Sequence, residues 1–193
     1  MKKLRLFWAV NLPGELKAKL AAVVDRLGGC GADAKWVERD NLHVTVKFLG
    51  DVDTGRVEEI TGTVSRGLKY FPAFRLDLGG PGFFPGPASP RVFWVGLSGG
   101  AGSLAEMAGI VDDVMGGLGF AREGRKFSPH LTLARIRSPR NIKELAGAVA
   151  SLKDVFGEMG GFNVSSLDLM QSDLTRSGPV YSKLASVELV SRV

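Results

Sequence analysis

Cysteine occurs once in these 193 residues and histidine only twice. The single thiol, Cys30, excludes an intramolecular disulfide framework, and with two distant histidines it offers too few ligands for an ordinary zinc site. A reducing cytoplasm is the expected location. Long apolar runs are also missing. Leu4 to Val10 follows a basic Met1-Lys2-Lys3, but Asn11 and Pro13 end it far short of a membrane span, and no small-residue cleavage site follows. It reads as a first strand, and no membrane partner is expected. The acidic residues show no paired arrangement of the kind metal-dependent nucleases use. The glycines of Gly79-Gly80-Pro81-Gly82-Phe83-Phe84-Pro85-Gly86 lack both the G-x-G-x-x-G spacing and a following Lys-Ser/Thr. No metal and no cofactor are expected.

What is present suits one ordinary domain or two small lobes: 45% hydrophobic and 23% charged residues. A net charge of +5 favours polyanionic partners, although proteins that touch no nucleic acid often carry as much.

Each histidine opens the same pattern. His43-Val44-Thr45-Val46 and His130-Leu131-Thr132-Leu133 both read His, apolar, Thr, apolar. With six threonines in the chain, chance would place Thr two residues after both histidines roughly once in a thousand cases, so the pattern signals an internal repeat. In a strand, His and Thr share one face while the apolar residues enter a core.

The surrounding elements repeat as well. Leu4 to Val10 is strand-like; Leu16, Leu20, Val23, Val24 and Leu27 mark a helix stopped by Gly28-Gly29; Leu42 to Leu49 is the first His strand, closed by Gly50-Asp51. A helix after Thr54 carries Val57, Ile60, Val64 and Leu68, and Phe74 to Leu78 is extended. Gly79 to Pro90, with four Gly and four Pro, is expected to be a linker or long loop. The order then recurs: strand Arg91 to Leu97, a helix bearing Leu104, Met107, Ile110, Val111, Val114 and Leu118, the second His strand Phe127 to Ile136, and a helix starting at Ser138-Pro139. Sliding the first half by 87 residues lays Leu20, Val23, Val24 and Leu27 on Met107, Ile110, Val111 and Val114. Two final strands are expected, Phe162 to Gln171 and Val180 to Leu189. The fold class implied is α+β and bilobal: two pseudo-symmetric lobes, about 1–80 and 91–193, whose termini are free to cross, with the site in a groove between them.

Two imidazoles facing one cleft suit phosphodiester hydrolysis. Histidine titrates near pH 6.5, so one ring can take a proton while the other gives one, each transfer contributing roughly 10²–10⁴-fold. Thr45 and Thr132, about 6–7 Å further along each strand, are placed to donate to phosphate oxygens as charge develops.

The chain resembles the 2H phosphoesterases, in particular the RNA 2′,3′-cyclic phosphodiesterase branch also called 2′-5′ RNA ligase. The resemblance runs in order through Phe7-Trp8-Ala9-Val10-Asn11-Leu12-Pro13, Trp36-Val37, Asn41-Leu42-His43-Val44-Thr45-Val46-Lys47-Phe48-Leu49-Gly50 and Ser128-Pro129-His130-Leu131-Thr132-Leu133-Ala134-Arg135. It ends at Leu169-Met170-Gln171-Ser172-Asp173-Leu174 and Gly178-Pro179-Val180-Tyr181; only Val46 departs from the first motif, where Leu is more usual. It implies hydrolysis of a 2′,3′-cyclic phosphate to a 2′-phosphate, with His43 as acid toward O3′ and His130 as base. The reverse reaction would join a 5′-hydroxyl through a 2′-5′ bond without ATP. The expected partners are RNA ends or small nucleotides, tRNA fragments among them, and the expected state is a monomer. A non-catalytic RNA-binding module is a third alternative.

Four further residues are candidates for substrate binding. Arg135 matches the motif's arginine, yet simple alternation puts it on the face opposite His130, so a bend must bring it back. Lys47, in phase with His43 and Thr45, either adds charge to the groove or is solvated. Phe48 is out of phase and is expected to lie in the core rather than stack on a base. Trp36 offers either a stacking surface or an anchor for the preceding loop. Phe83 or Phe84 is a candidate to line the groove.

Overall fold

A computed structural model describes residues 2–176 and 178–191. The elements are β1 (Lys3–Asn11), α1 (Gly14–Gly28), β2 (Ala34–Trp36), β3 (His43–Asp53), α2 (Val57–Gly67), β4 (Phe74–Phe84), β5 (Val92–Leu97) and α3 (Ala101–Gly117). They continue as β6 (His130–Ile136), α4 (Ile142–Ser151), α5 (Lys153–Gly157), β7 (Gly161–Val164), β8 (Ser166–Leu174) and β9 (Pro179–Glu188). Two antiparallel sheets form, ordered β3-β1-β8-β9 and β2-β6-β5-β4-β7. The expected α+β class with two sheets is the one observed.

The helices bury the stripes that the sequence spacing marks. Leu16, Leu20, Val23, Val24 and Leu27 of α1 are buried, as are Leu104, Met107 and Val111 of α3. One continuous core joins Leu6 and Trp8 of the first sheet to Phe93 and Val95 of the second. β1 is covered on both faces: Leu6, Trp8 and Val10 enter this core, while Phe7 and Ala9 form a second small cluster with Met170.

The sheets exchange strands. β4 follows α2 in sequence yet pairs with β5, whereas β8 follows the second half and pairs with β1. The stretch read as a linker is therefore largely strand, continuing through Gly79-Gly80-Pro81 to Phe84 across a register shift between Leu78 and Pro81. Gly82 has a packing reason: a Cβ there would collide with the Trp94 indole, which lies over β4. The single strand expected over 162–171 is two, because the chain changes sheets at Ser165 between β7 and β8. The first His strand runs on past Gly50 to Asp53, where Lys3 to Arg5 still pair with it. α4 begins at Ile142 rather than Ser138, after Asn141 takes a left-handed conformation with φ 54°. β2 and α5, three and five residues long, lack a sequence signal of their own.

Candidate active site

The two His strands approach one another across the sheets, and each is built the same way. His43 Nδ1 lies 2.7 Å from the Asn41 carbonyl and His130 Nδ1 lies 2.7 Å from the Ser128 carbonyl. A carbonyl only accepts, so Nδ1 carries the proton in both rings, and Nε2 is the nitrogen left to act. From the histidine onward, seven residues of each strand alternate in burial identically: half-buried, buried, half-buried, buried, buried, exposed, half-buried.

That break in alternation is a β-bulge at the same motif position in both strands. Ala9 pairs with Thr45 and Trp8 with Lys47, leaving Val46 as the extra residue; Trp94 pairs with Thr132 and Phe93 with Ala134, leaving Leu133. The bulge brings Arg135 round to the exposed side with His130 and Thr132, as the motif required. It reverses two other expectations. Lys47, 2% exposed, is turned away from the cleft and forms an ion pair of 2.5 Å with Asp112 of α3, also donating to the Ala121 carbonyl at 2.8 Å. Phe48, expected in the core, is instead 59% exposed and packs its ring on Phe7 at 5.8 Å. The Asp112 carboxyl feels burial upward, but hydrogen bonds from Lys47 and the Glu123 N–H, with the charges of Lys47 and Arg122, hold it below the usual carboxylate range.

Trp36 does not face the cleft. It stands opposite Ala134, edge-on to Phe93 at 6.2 Å, and lines the pocket against α1, so it anchors the short β2 to the core. The neighbouring Lys35, opposite Arg135, takes the other face.

The histidines differ in surroundings. His43 lies 4.9 Å from Phe7 and edge-on to Tyr181 at 5.1 Å, with Nε2 3.0 Å from the Thr45 hydroxyl. Burial lowers its pKa; the Asn41 carbonyl opposes this and the charge of Lys17 adds to it. In the neutral ring the Thr45 hydroxyl donates to Nε2. His130 meets Phe84 edge-on at 5.1 Å and Trp94 at 6.4 Å, and among the described residues no group bonds to its Nε2. Phe84, rather than Phe83, is the groove residue; Phe83 packs on Phe93 at 5.1 Å.

Tyr181 joins the two halves of the cleft. It touches His43 and Phe7, and Arg135 is close enough for its charge to draw the phenol pKa down against a larger upward push from burial. Asn41 braces this arrangement twice, accepting from His43 through its carbonyl and donating from Nδ2 to the Pro179 carbonyl at 2.8 Å. Tyr181, Phe7 and Trp94 went unassigned from the sequence; in strands, only their motif-facing parity could have marked them. Beneath the floor, Asn11 donates to the buried Asp168 at 2.7 Å, which also accepts from Ser186 at 2.6 Å. Among the described residues, no group of three His, Cys, Asp or Glu is arranged to hold a metal ion.

The sequence pattern of the 2′-5′ RNA ligase superfamily matches residues 15–176. The chain belongs to this superfamily. Within it, an RNA 2′,3′-cyclic phosphodiesterase of Aeropyrum pernix is 40% identical over 173 residues, 90% of this chain and 96% of that protein. One of Methanothermobacter thermautotrophicus is 35% identical over 182 residues, 94% of this chain and 97% of that protein. The fold resembles a Thermus thermophilus protein, TT0787, with a TM-score of 0.77 at 24% identity, covering 98% of this chain and 100% of the other. It also resembles Escherichia coli LigT complexed with 3′-AMP, with a TM-score of 0.75 at 24% identity, covering 97% and 99%. The structural likenesses show a shared fold over nearly the whole chain.

Proposed function

We propose that this superfamily member hydrolyses 2′,3′-cyclic phosphates on RNA or nucleotide ends to 2′-phosphates, without a metal ion. The observation that carries the proposal is the paired presentation of two imidazoles, each with Nδ1–H tied to the carbonyl two residues back, so that Nε2 is the nitrogen that exchanges protons. Relatives named for this activity at 35–40% identity support it.

Water attacks phosphorus as His130 Nε2 takes its proton; the P–O3′ bond breaks as His43 Nε2 gives a proton to O3′. The products are a 2′-phosphate and a 3′-hydroxyl, and the two histidines end with their protonation states exchanged. Thr45 and Thr132 donate to the non-bridging oxygens, and Arg135 pairs with their charge. Burial disfavours the charged form of His43, so its acid role is helped by the charge of an anionic substrate, which offsets the burial. The 5′-hydroxyl of a second strand can replace water as the nucleophile, its proton passing to His130 as the P–O3′ bond breaks and His43 protonates O3′, giving ATP-independent 2′-5′ joining. Cleavage of that bond is the reverse step, in which the two histidines exchange roles, and their matching tethers favour this second reading. A reducing cytoplasm fits the lone Cys30, and among the described residues no helix is long and apolar enough to cross a membrane.

The test is incubation with a 2′,3′-cyclic nucleotide in excess chelator. Release of the 2′-phosphate at an undiminished rate is expected; a 3′-phosphate product, or activity abolished by chelator, would refute the proposal. Binding of a non-hydrolysable cyclic phosphate should take up a proton above pH 6.5, read from the buffer dependence of the binding heat.

A further inference from the structure

The basic residues after the second motif make a group apart from the histidines. A pocket of about 770 Å³ opens at the end of the β5–β6 ladder away from His130, and its lining includes Arg91, Arg137, Asn141 and Lys143. It begins where the cleft's basic wall ends: Arg135 pairs with Val92, and the next N–H, of Ile136, donates to the Arg91 carbonyl at 2.9 Å. Arg91, Arg137 and Lys143 are exposed. Seven cations elsewhere form ion pairs among the described residues, Arg56 with Glu59, Arg75 with Asp77 and Arg122 with Asp113 among them. These three form no ion pair among the described residues. The lining holds one carboxylate, Glu144. The wall is braced, because Asn141 Nδ2 donates to the carbonyls of Cys30 and Gly31 at 3.1 and 3.2 Å.

Three cations against one carboxylate leave this pocket net positive, a charge that a multiply charged anion would neutralise with release of its own counterions. Arg135 and Arg137 lie about 6–7 Å apart along the strand, a step that successive phosphates of an extended single strand can follow. A 2′,3′-cyclic phosphate is the last group of its strand, so every other phosphate lies on its 5′ side. We propose that this pocket binds backbone phosphate of the RNA strand 5′ to the reacting nucleotide, with Arg135 bridging between pocket and cleft. This rests on the function proposed above for the cleft. Contacts to phosphate alone carry no base information, so the pocket confers a preference for chain length and not for sequence.

The experiment compares a 2′,3′-cyclic mononucleotide with an RNA tetramer ending in the same group, for the natural protein and the variant Arg91→Ala/Arg137→Ala/Lys143→Ala. The natural protein should favour the tetramer in kcat/KM, and the variant should lose about tenfold on the tetramer while mononucleotide turnover stays the same. The slope of log affinity against log salt for the tetramer should fall by about 2, at roughly 0.7 per lost contact. Neutralising Arg125 and Lys126, on the chain before His130, should change neither preference nor slope by as much. Equal tetramer preference in natural protein and variant overturns the inference. A second arm measures binding of a 3′-phosphorylated tetramer by fluorescence anisotropy. If neither substrate turns over, the proposed activity fails, and this arm alone decides the pocket: an unchanged dissociation constant in the triple variant overturns it.

Discussion

His43 sits between Phe7 and Tyr181 with Nε2 bonded to the Thr45 hydroxyl, whereas His130 meets the edges of Phe84 and Trp94 and keeps Nε2 unbonded among the described residues. The backbones that present them are alike down to the tethering carbonyl and the bulge one residue past the threonine. Duplication supplies the presentation, and unlike neighbours supply the difference. The bulge also hands equivalent positions to different chemistry. Lys47 and Ala134 point inward, and Phe48 and Arg135 point outward, so one wall of the cleft offers a ring and the other a guanidinium.

The strongest way to break the comparison is to remove each imidazole. His43→Ala and His130→Ala should each lower turnover of a cyclic nucleotide by about 10²–10⁴-fold while the urea unfolding midpoint stays near that of the natural protein. A large loss in only one would show that the repeat is structural in one half.

Next in size is the ion pair that the inward turn gives Lys47 with Asp112. Asp112→Ala strands a Lys47 that is 1% exposed at its side chain and should cost about 3–5 kcal/mol in denaturant unfolding. Lys47→Met should cost less, because Asp112 keeps access to water at 21% exposure. The Lys47→Met/Asp112→Leu double variant should regain most of the loss.

The outward pair comes third. Arg135→Ala should weaken phosphate binding by about 1.5–3 kcal/mol whatever the base. Phe48→Ala should cost at most about 1–3 kcal/mol, and only for substrates that carry a base to stack; matched losses on ribose 2′,3′-cyclic phosphate and a cyclic nucleotide would remove the stacking role.

The smallest effect concerns protons. His43 should titrate below the ordinary histidine range in a ring-proton NMR titration, and Tyr181→Ala, which admits water, should bring it back toward 6.5. A depressed folded pKa means that His43 contributes stability above its unfolded pKa and loses it as pH falls through the folded one. Asp112 acts in the same direction at lower pH. Acid should therefore destabilise the natural protein more than Tyr181→Ala as pH falls below about 6.5.

The helices and the His strands were readable because their signals are local. Leu16, Leu20, Val23, Val24 and Leu27 recur at helical steps and are buried together, and His43 with Thr45 needs only strand alternation to share a face. Lys47 and Phe48 were misassigned by the same alternation, because a bulge depends on how the partner strand pairs and leaves no mark in the residues themselves. Arg135 lies on the exposed side because of the same kind of bulge, and in the sequence only its motif asks for such a bend. The glycines from Gly79 looked like a linker because what they accommodate, the Trp94 indole over Gly82, stands on another strand.

The sequence by itself determined two amphipathic halves, two His-x-Thr strands and a net positive charge of +5, since periodicity and composition are read within the chain itself. The tertiary structure decided which strands join which sheet, that β4 and β8 are exchanged, which side chains the bulges turn inward, and that burial disfavours the charge on His43. Those outcomes depend on pairing and packing between separate strands, as of β1 with β3 at the bulge and of β1 with the distant β8, and no local pattern encodes them.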